Sequence, residues 1–523
     1  MIIKNPVLKG FHPDPSMICV NGTYYIANST FEYYPGVCIH KSDDLVRWEP
    51  VRYPLTSERL LGMRGNPAGT GVWAPCLSYS DGVYYLVYSN MRSWCNDPFK
   101  DSNNYVITTT DLERGEWSDP VYLNSSGFDA SLFHDDDGKK YYLNMEWNHL
   151  ETGKNQFSGI LLQEYDAKKR KLVGPVHKIF RGTEWGSVEG PHIYKKDGWY
   201  YLFCAEGGTS YEHAEVVARS RSVFGPYELH PFRHLICSYG SRNVNQKTGH
   251  ASMCCGKDGK WYLAYLSGRP VKDYRCILGR ETSIQELVWK EDGWMYLKNG
   301  TNTPSDFFET DAEPYEVPHV KEYSFESWEK LTDFMTLRRP ITDAYFRLHD
   351  GRLTIVGKDS PVSVFDQSVL CRRQEHFSFR ADTVLEFAPA SFQHMAGLIY
   401  RYNEANFYYL FMSCKPDTAE KELRVLYLDD GKYEYSEAVP YTKEKVWLRL
   451  DVDKADAQFS YSADGANYRK IGKCADASIM SDDYARPLGF TGAFVGMACQ
   501  DLKDHAKTAD FLSFRYENKE KQQ

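Results

Sequence analysis

Little in this chain of 523 residues invites a membrane or a nucleic acid. No apolar run approaches the ~20 residues that span a bilayer. The opening, MIIKNPVLKG, lacks the charged and then apolar stretches of a secretory signal. Lys and Arg number 62 against 71 Asp and Glu, for a net charge of −9. That balance supplies no basic face for phosphates or anionic lipid, so nucleic-acid and membrane partners are not expected. The 13 cysteines are odd in number and scattered, and no CxxC pair occurs. This spacing argues against a structural zinc site and fits free thiols in a reducing cytoplasm. A long apolar pattern of period 3.6 is also missing, which leaves helices no large role.

Aromatic residues, by contrast, are plentiful at 15% of the chain. Five stretches repeat one design: DPSMICVNGTYYIANS, WAPCLSYSDGVYYLVYS, DASLFHDDDGKKYYLNM, EGPHIYKKDGWYYLFCA and HASMCCGKDGKWYLAYL. Each has a distinctive first residue, a short extended run, a turn ending in glycine and an aromatic strand. NG and DG between such runs are strong hairpin signals. The first residues are Asp14, Trp73, Asp129, Glu189 and His250, about sixty positions apart. Further β-rich runs, such as CIHKSDDLVRWEPV and VVARSRSVFGPYEL, supply outer strands. The expected fold is all-β, a five-bladed β-propeller over residues 1–300. A linker rich in Asn, Thr, Pro and acids follows at 301–318. Alternating segments over 319–523 then predict a β-sandwich.

In a propeller, equivalent positions sit at equivalent heights, so the five first residues should converge at one mouth of the channel. Three are carboxylates. Burying three acids together is costly, and stability alone gives no reason for it. Glycoside hydrolysis does give one, because it needs a protonated carboxyl to donate and an ionised one to activate water. A third acid would raise the pKa of the donor. Asp14 lies between Pro13 and Pro15. Proline at 15 biases Asp14 toward an extended backbone, which suits a stiffly aimed base. Trp73 would offer an apolar wall to a sugar ring.

NPVLKGFHPDPSM, STFEYYPGV, GVWAPCLSY, VEGPHIYKKDGWYYLFCAEGGTSYEHA, TGHASM and LGRETSIQ together resemble glycoside hydrolase family 43. The likeness is to its two-domain β-xylosidases, and MAGLIYRYNEANFYYL and GFTGAFVGMACQD extend it into the second domain. The resemblance implies hydrolysis with inversion at a terminal sugar, either β-1,4-xylose or α-L-arabinofuranose. It makes Asp14 the general base, Glu189 the general acid and Asp129 the group that orients and tunes the acid. Arg280, Phe31 and Trp73 would hold the terminal sugar, Trp147 in MEWNHL would lie on the leaving-group side, and Phe494 would narrow the entrance. No cofactor is required; calcium in the channel would lie at His250. Substrates would be xylooligosaccharides or arabinofuranosides, the compartment the cytoplasm, and the assembly a homo-oligomer. Cys76 and Val188 stand where the resemblance favours His and Thr, which bears on leaving-group preference. A sugar-binding propeller without catalysis is the competing class, but it would have lost at least one acid.

Overall fold

In the computed structural model of the chain, residues 2–94, 97–313, 317–418 and 420–520 are described. Five four-stranded antiparallel sheets form the propeller, each from consecutive strands except that Tyr33–Tyr34 leaves the first blade to pair elsewhere. The innermost strands are Ser16–Val20, Gly71–Ser80, Ser131–His134, Glu189–Lys196 and Gln246–Cys255. Three of their hairpins close with two residues at positive φ, Asn21–Gly22, Asp81–Gly82 and Asp197–Gly198. That geometry matches the twist of the flanking strands, and Asn, Asp and Gly tolerate it best. The hairpins at Gly138 and Gly259 have longer loops, between His134 and Lys140 and between Cys255 and Trp261.

The N-terminal segment closes the ring by lying along the fifth blade. Val7 and Leu8 donate to the Thr282 carbonyl, and His12 N donates to Arg280 O. The Asn5 side chain makes both hydrogen bonds to the Ile284 backbone, at 2.9 and 3.0 Å. Part of the expected linker belongs to this closure: Phe307–Glu309 pairs with Ile2–Lys4 as a two-stranded sheet.

The second domain is a sandwich of an eight-stranded and a nine-stranded sheet around a large apolar core. The alternating segments expected there as strands are strands, from Arg352–Val356 to Thr508–Asn518. The last strand of the nine-stranded sheet is not from the sandwich. Tyr33–Tyr34 of the propeller pairs with Thr336 and Leu337, so one sheet crosses the seam between the domains. Among the described residues the only helical elements are three short 3-10 turns, and no helix is long and apolar enough to cross a membrane.

Asn5→Ala leaves a buried donor and acceptor on Ile284 without partners. It should lower unfolding free energy by roughly 2–3 kcal/mol. An unchanged denaturation midpoint would show that the ring closes without this clasp.

Candidate active site

Each innermost strand has a backbone kink within it or just before it. Asp14, Ala74, Asp129, Gly190 and His250 have φ of 51°, 35°, 55°, 59° and 48°. The kinks fall at, or one residue after, the five repeat-starting positions. Asp14 therefore departs from the extended conformation expected before Pro15. The left-handed region is strained for a residue with a Cβ, and it persists where surrounding contacts over-determine it. For Asp14 those contacts are Ser29 Oγ, donating to Oδ2 at 2.6 Å, and Arg280 Nη1, donating to Oδ1 at 2.7 Å. At Gly190 the kink also requires the missing side chain, because a Cβ there would lie 2.8 Å from His250 Nε2.

All five repeat-starting side chains line one cavity of about 520 Å³. Asp14, Asp129 and Glu189 are 4%, 6% and 8% exposed. Their environments separate their charges. Burial pushes the Asp14 carboxyl up, but Arg280, His250 and Ser29 outweigh it and hold the group below its ordinary range. Burial, then the charge of Asp14, pushes Glu189 up to about 8, against the pull of Arg280 and Lys100. Burial, then Glu189 and Asp14, keeps Asp129 well above the usual carboxylate range. At neutral pH the cavity therefore holds an ionised carboxylate beside carboxyls that keep protons, the division that acid–base catalysis requires.

The inner wall is aromatic. Phe31 stacks on Phe490 at 5.7 Å between centroids, and Trp73 meets Phe490 edge-on at 5.2 Å. Trp73 Nε1 donates to Gly69 O at 2.9 Å, which fixes the indole. Toward the mouth, Lys100 Nζ lies 4.0 Å from the Trp94 ring and 3.9 Å from the Trp147 ring. Trp147 Nε1 in turn donates to Pro98 O.

Two expectations change. Phe494 does not line the cavity: it opens the strand Phe494–Asp501, fully buried and stacked on Tyr33 at 4.0 Å. The residue that reaches the cavity from the sandwich is Phe490, in the preceding loop, and its carbonyl accepts from Arg280 Nη2 at 3.3 Å. His250 also makes a poor calcium ligand set. Its Nδ1 lies 3.6 Å from Asp14, whose carboxylate is already paired with Arg280. His192 and His213 both lie close enough to interact with it, so its surroundings are rich in nitrogen. Calcium takes six to eight oxygens, and these residues do not fit it. Burial keeps the His250 imidazole neutral, only partly opposed by Asp14.

Sequence reasoning overlooked Ser29, Trp94, Lys100, Phe128 and Phe490. Ser29 was quoted within STFEYYPGV, two positions before Phe31, but nothing local shows that its hydroxyl bridges Asp14 and Ala74 N.

Residues 3–295 match the family model for glycosyl hydrolases family 43, and 322–517 match the model for the beta xylosidase C-terminal concanavalin A-like domain. The chain belongs to glycosyl hydrolase family 43. It is 46% identical to "Xylosidase/arabinosidase 43B" of Humicola insolens, over 98% of this chain and 97% of that protein. It is 42% identical to "Beta-xylosidase" of Bacillus subtilis (strain 168), over 99% and 100%. The crystal structure of xylan beta-1,4-xylosidase from Bacillus halodurans C-125 superposes with a TM-score of 0.94 at 44% identity, covering 98% of this chain and 100% of that one. This family 43 chain is thus a glycoside hydrolase, and the acid-lined cavity is its candidate active site.

The two phenylalanines should separate cleanly on mutation. Phe490→Ala should raise KM for a glycoside substrate by roughly tenfold, the loss of one wall contact, with little change in melting. Phe494→Ala should cost about 3–5 kcal/mol of stability as a buried cavity mutation. The reverse pattern would return Phe494 to the pocket.

Proposed function

We propose that this family 43 hydrolase is an exo-acting, inverting β-xylosidase. It removes D-xylose from the non-reducing ends of short β-1,4-xylooligosaccharides, with α-L-arabinofuranosides as a second substrate class. The observation that carries the reading is a pocket in which Phe31, Trp73, Phe490, Arg280 and the three acids are buried while Trp94, Lys100 and Trp147 are half-exposed, a gradient that we read as one closed end. A pocket closed at one end accepts a chain terminus and excludes the middle of a polymer. The names of the relatives support xylose and arabinose as the sugars.

In this reading Asp14 accepts a proton from a water molecule as that water attacks the anomeric carbon. Glu189 gives its proton to the departing glycosidic oxygen, and the attack from the opposite face inverts the configuration. Burial and the charge of Asp14 keep Glu189 protonated, and Asp129, itself protonated, orients the sugar beside it. Arg280 contributes twice. It keeps Asp14 ionised, and its Nε is buried with no acceptor from the described residues, a donor left for a substrate hydroxyl. Trp147, Trp94 and Lys100 would meet the leaving group. A cytoplasmic location and a homo-oligomer belong to the same proposal. The first is supported by the absence of any disulfide among the 12 cysteines described, and light scattering reads the second.

Sampled early, a digest of xylotetraose should contain xylose and xylotriose, with the released xylose first seen as the α-anomer by NMR. Xylobiose as the first product would end the exo assignment, and β-xylose would end inversion. Xylobiose and an aryl α-L-arabinofuranoside, assayed side by side, rank the two sugars; arabinoside turnover alone would replace the xylosidase reading.

The pH profile of kcat/KM should be bell-shaped. Activity falls on the acid side as Asp14 protonates, below the ordinary carboxylate range, and on the basic side as Glu189 loses its proton, near pH 8. Asp129→Asn replaces a protonated carboxyl by a neutral amide and should lower kcat while leaving the basic limb where it is. Arg280→Ala should cost about 2–4 kcal/mol in kcat/KM and raise the acidic limb, because Asp14 loses its cation. If the acidic limb stays put in Arg280→Ala, or the basic limb moves in Asp129→Asn, the assignment of the acids is wrong.

A further inference from the structure

A second cluster of reactive side chains lies outside the pocket, where the N-terminal segment crosses the first blade. Cys38 and His40 alternate on the strand Cys38–Ser42 and so share one face. Cys38 Sγ is 3.5 Å from His40 Nδ1. The His12 ring approaches from the segment that leads to Asp14, its centroid 5.0 Å from that of His40. One ligand-capable atom from each of the three lies within 4.8 Å of the others. His12 Nδ1 is 3.0 Å from the Lys9 carbonyl. A carbonyl only accepts, so that nitrogen carries the proton and Nε2 keeps a free lone pair. A backbone acceptor that orients an imidazole in this way is the usual support behind a metal-ligating histidine.

We propose that His12, Cys38 and His40 bind a thiophilic d10 metal ion, zinc(II) or copper(I), at the seam between the first blade and the sandwich. The donor set is one sulfur and two imidazole nitrogens without a carboxylate, which suits these ions and not calcium or magnesium. Binding displaces the thiol proton to solvent and forms the metal–thiolate bond. Arg373 of the sandwich donates to Phe11 O, next to His12, at 2.7 Å. Arg373 from the sandwich lends positive charge to this neighbourhood, which favours an ion neutralised by one thiolate and ranks copper(I) above zinc(II). Tyr53, 3.5 Å from Cys38 Sγ, donates to Thr332 O of the sandwich at 3.1 Å, so the site touches both domains. The ligands are separated by 26 positions with no local motif, and a search for CxxC spacing passes over them. The ion would pin the segment carrying the catalytic base to its blade.

The test uses the purified full-length chain, stripped with chelator under reducing conditions. Zinc(II) and copper(I) are titrated separately against chromophoric competitors, and cobalt(II) is added as a spectroscopic probe. One equivalent of at least one of the two metals per chain is expected, with a thiolate-to-cobalt charge-transfer band. Cys38→Ser should abolish the band, and both Cys38→Ser and His12→Gln should weaken binding by roughly 100-fold. Serine substitutions at the exposed Cys255 and Cys474 should change neither. If Cys38→Ser does not fold, His12→Gln and the wild-type cobalt band decide. The proposal fails if the wild-type chain takes up neither metal, if Cys38→Ser binds as tightly as wild type, or if removing the exposed thiols abolishes binding.

Discussion

The Arg280–Asp14 pair is the contact on which most else depends. Its partners come from opposite ends of the propeller sequence and meet where the first and fifth blades adjoin, buried and 2.7 Å apart. A buried ion pair is a weak source of net stability, because desolvation offsets most of the Coulomb gain. Its value here is positional. The pair forms only when the ring has closed, and Arg280 also donates to the carbonyl of Phe490. One guanidinium thus joins ring closure, the charge of the base and the arrival of the sandwich loop.

The acids illustrate how one buried pocket holds different protonation states. Desolvation raises all three carboxyls, and Asp14 has the Arg280 cation in direct contact. Its ionisation then adds a negative charge beside Glu189 and Asp129, which reinforces their hold on protons. The asymmetry needs no special side-chain chemistry. It follows from Arg280 reaching one carboxylate and not the others.

Much of this architecture is legible locally. The five glycine turns, the YY and WY strands and the spacing near sixty are short-range signals, and they lead to the blades and to convergence of the repeat-starting residues. What escaped depends on distant contacts. Pro15 by itself favours an extended Asp14, and the opposite φ emerges from bonds to Ser29 and Arg280. The strand Tyr33–Tyr34 is too short to announce itself and exists because Thr336 and Leu337 supply an edge. Phe490 and Phe494 lie four residues apart in one aromatic stretch, and only the fold decides which faces the sugar and which packs behind it.

The sandwich is therefore part of the catalytic unit. Gly279, just before Arg280, meets the sandwich backbone so closely that a Cβ there would lie 2.8 Å from Gly492 N. Ala493 N donates to Ile277 O across the same contact, and Lys247 forms a buried ion pair with Asp483. These bonds flank the loop that carries Phe490 over the pocket. An open propeller mouth would expose the acids to water and release Glu189 from the desolvation that keeps it protonated. Covering the mouth from a second domain, rather than with a mobile propeller loop, gives the inner end of the pocket the rigidity of a shared β-sheet. The buried aromatic end of the pocket is thus a product of domain docking.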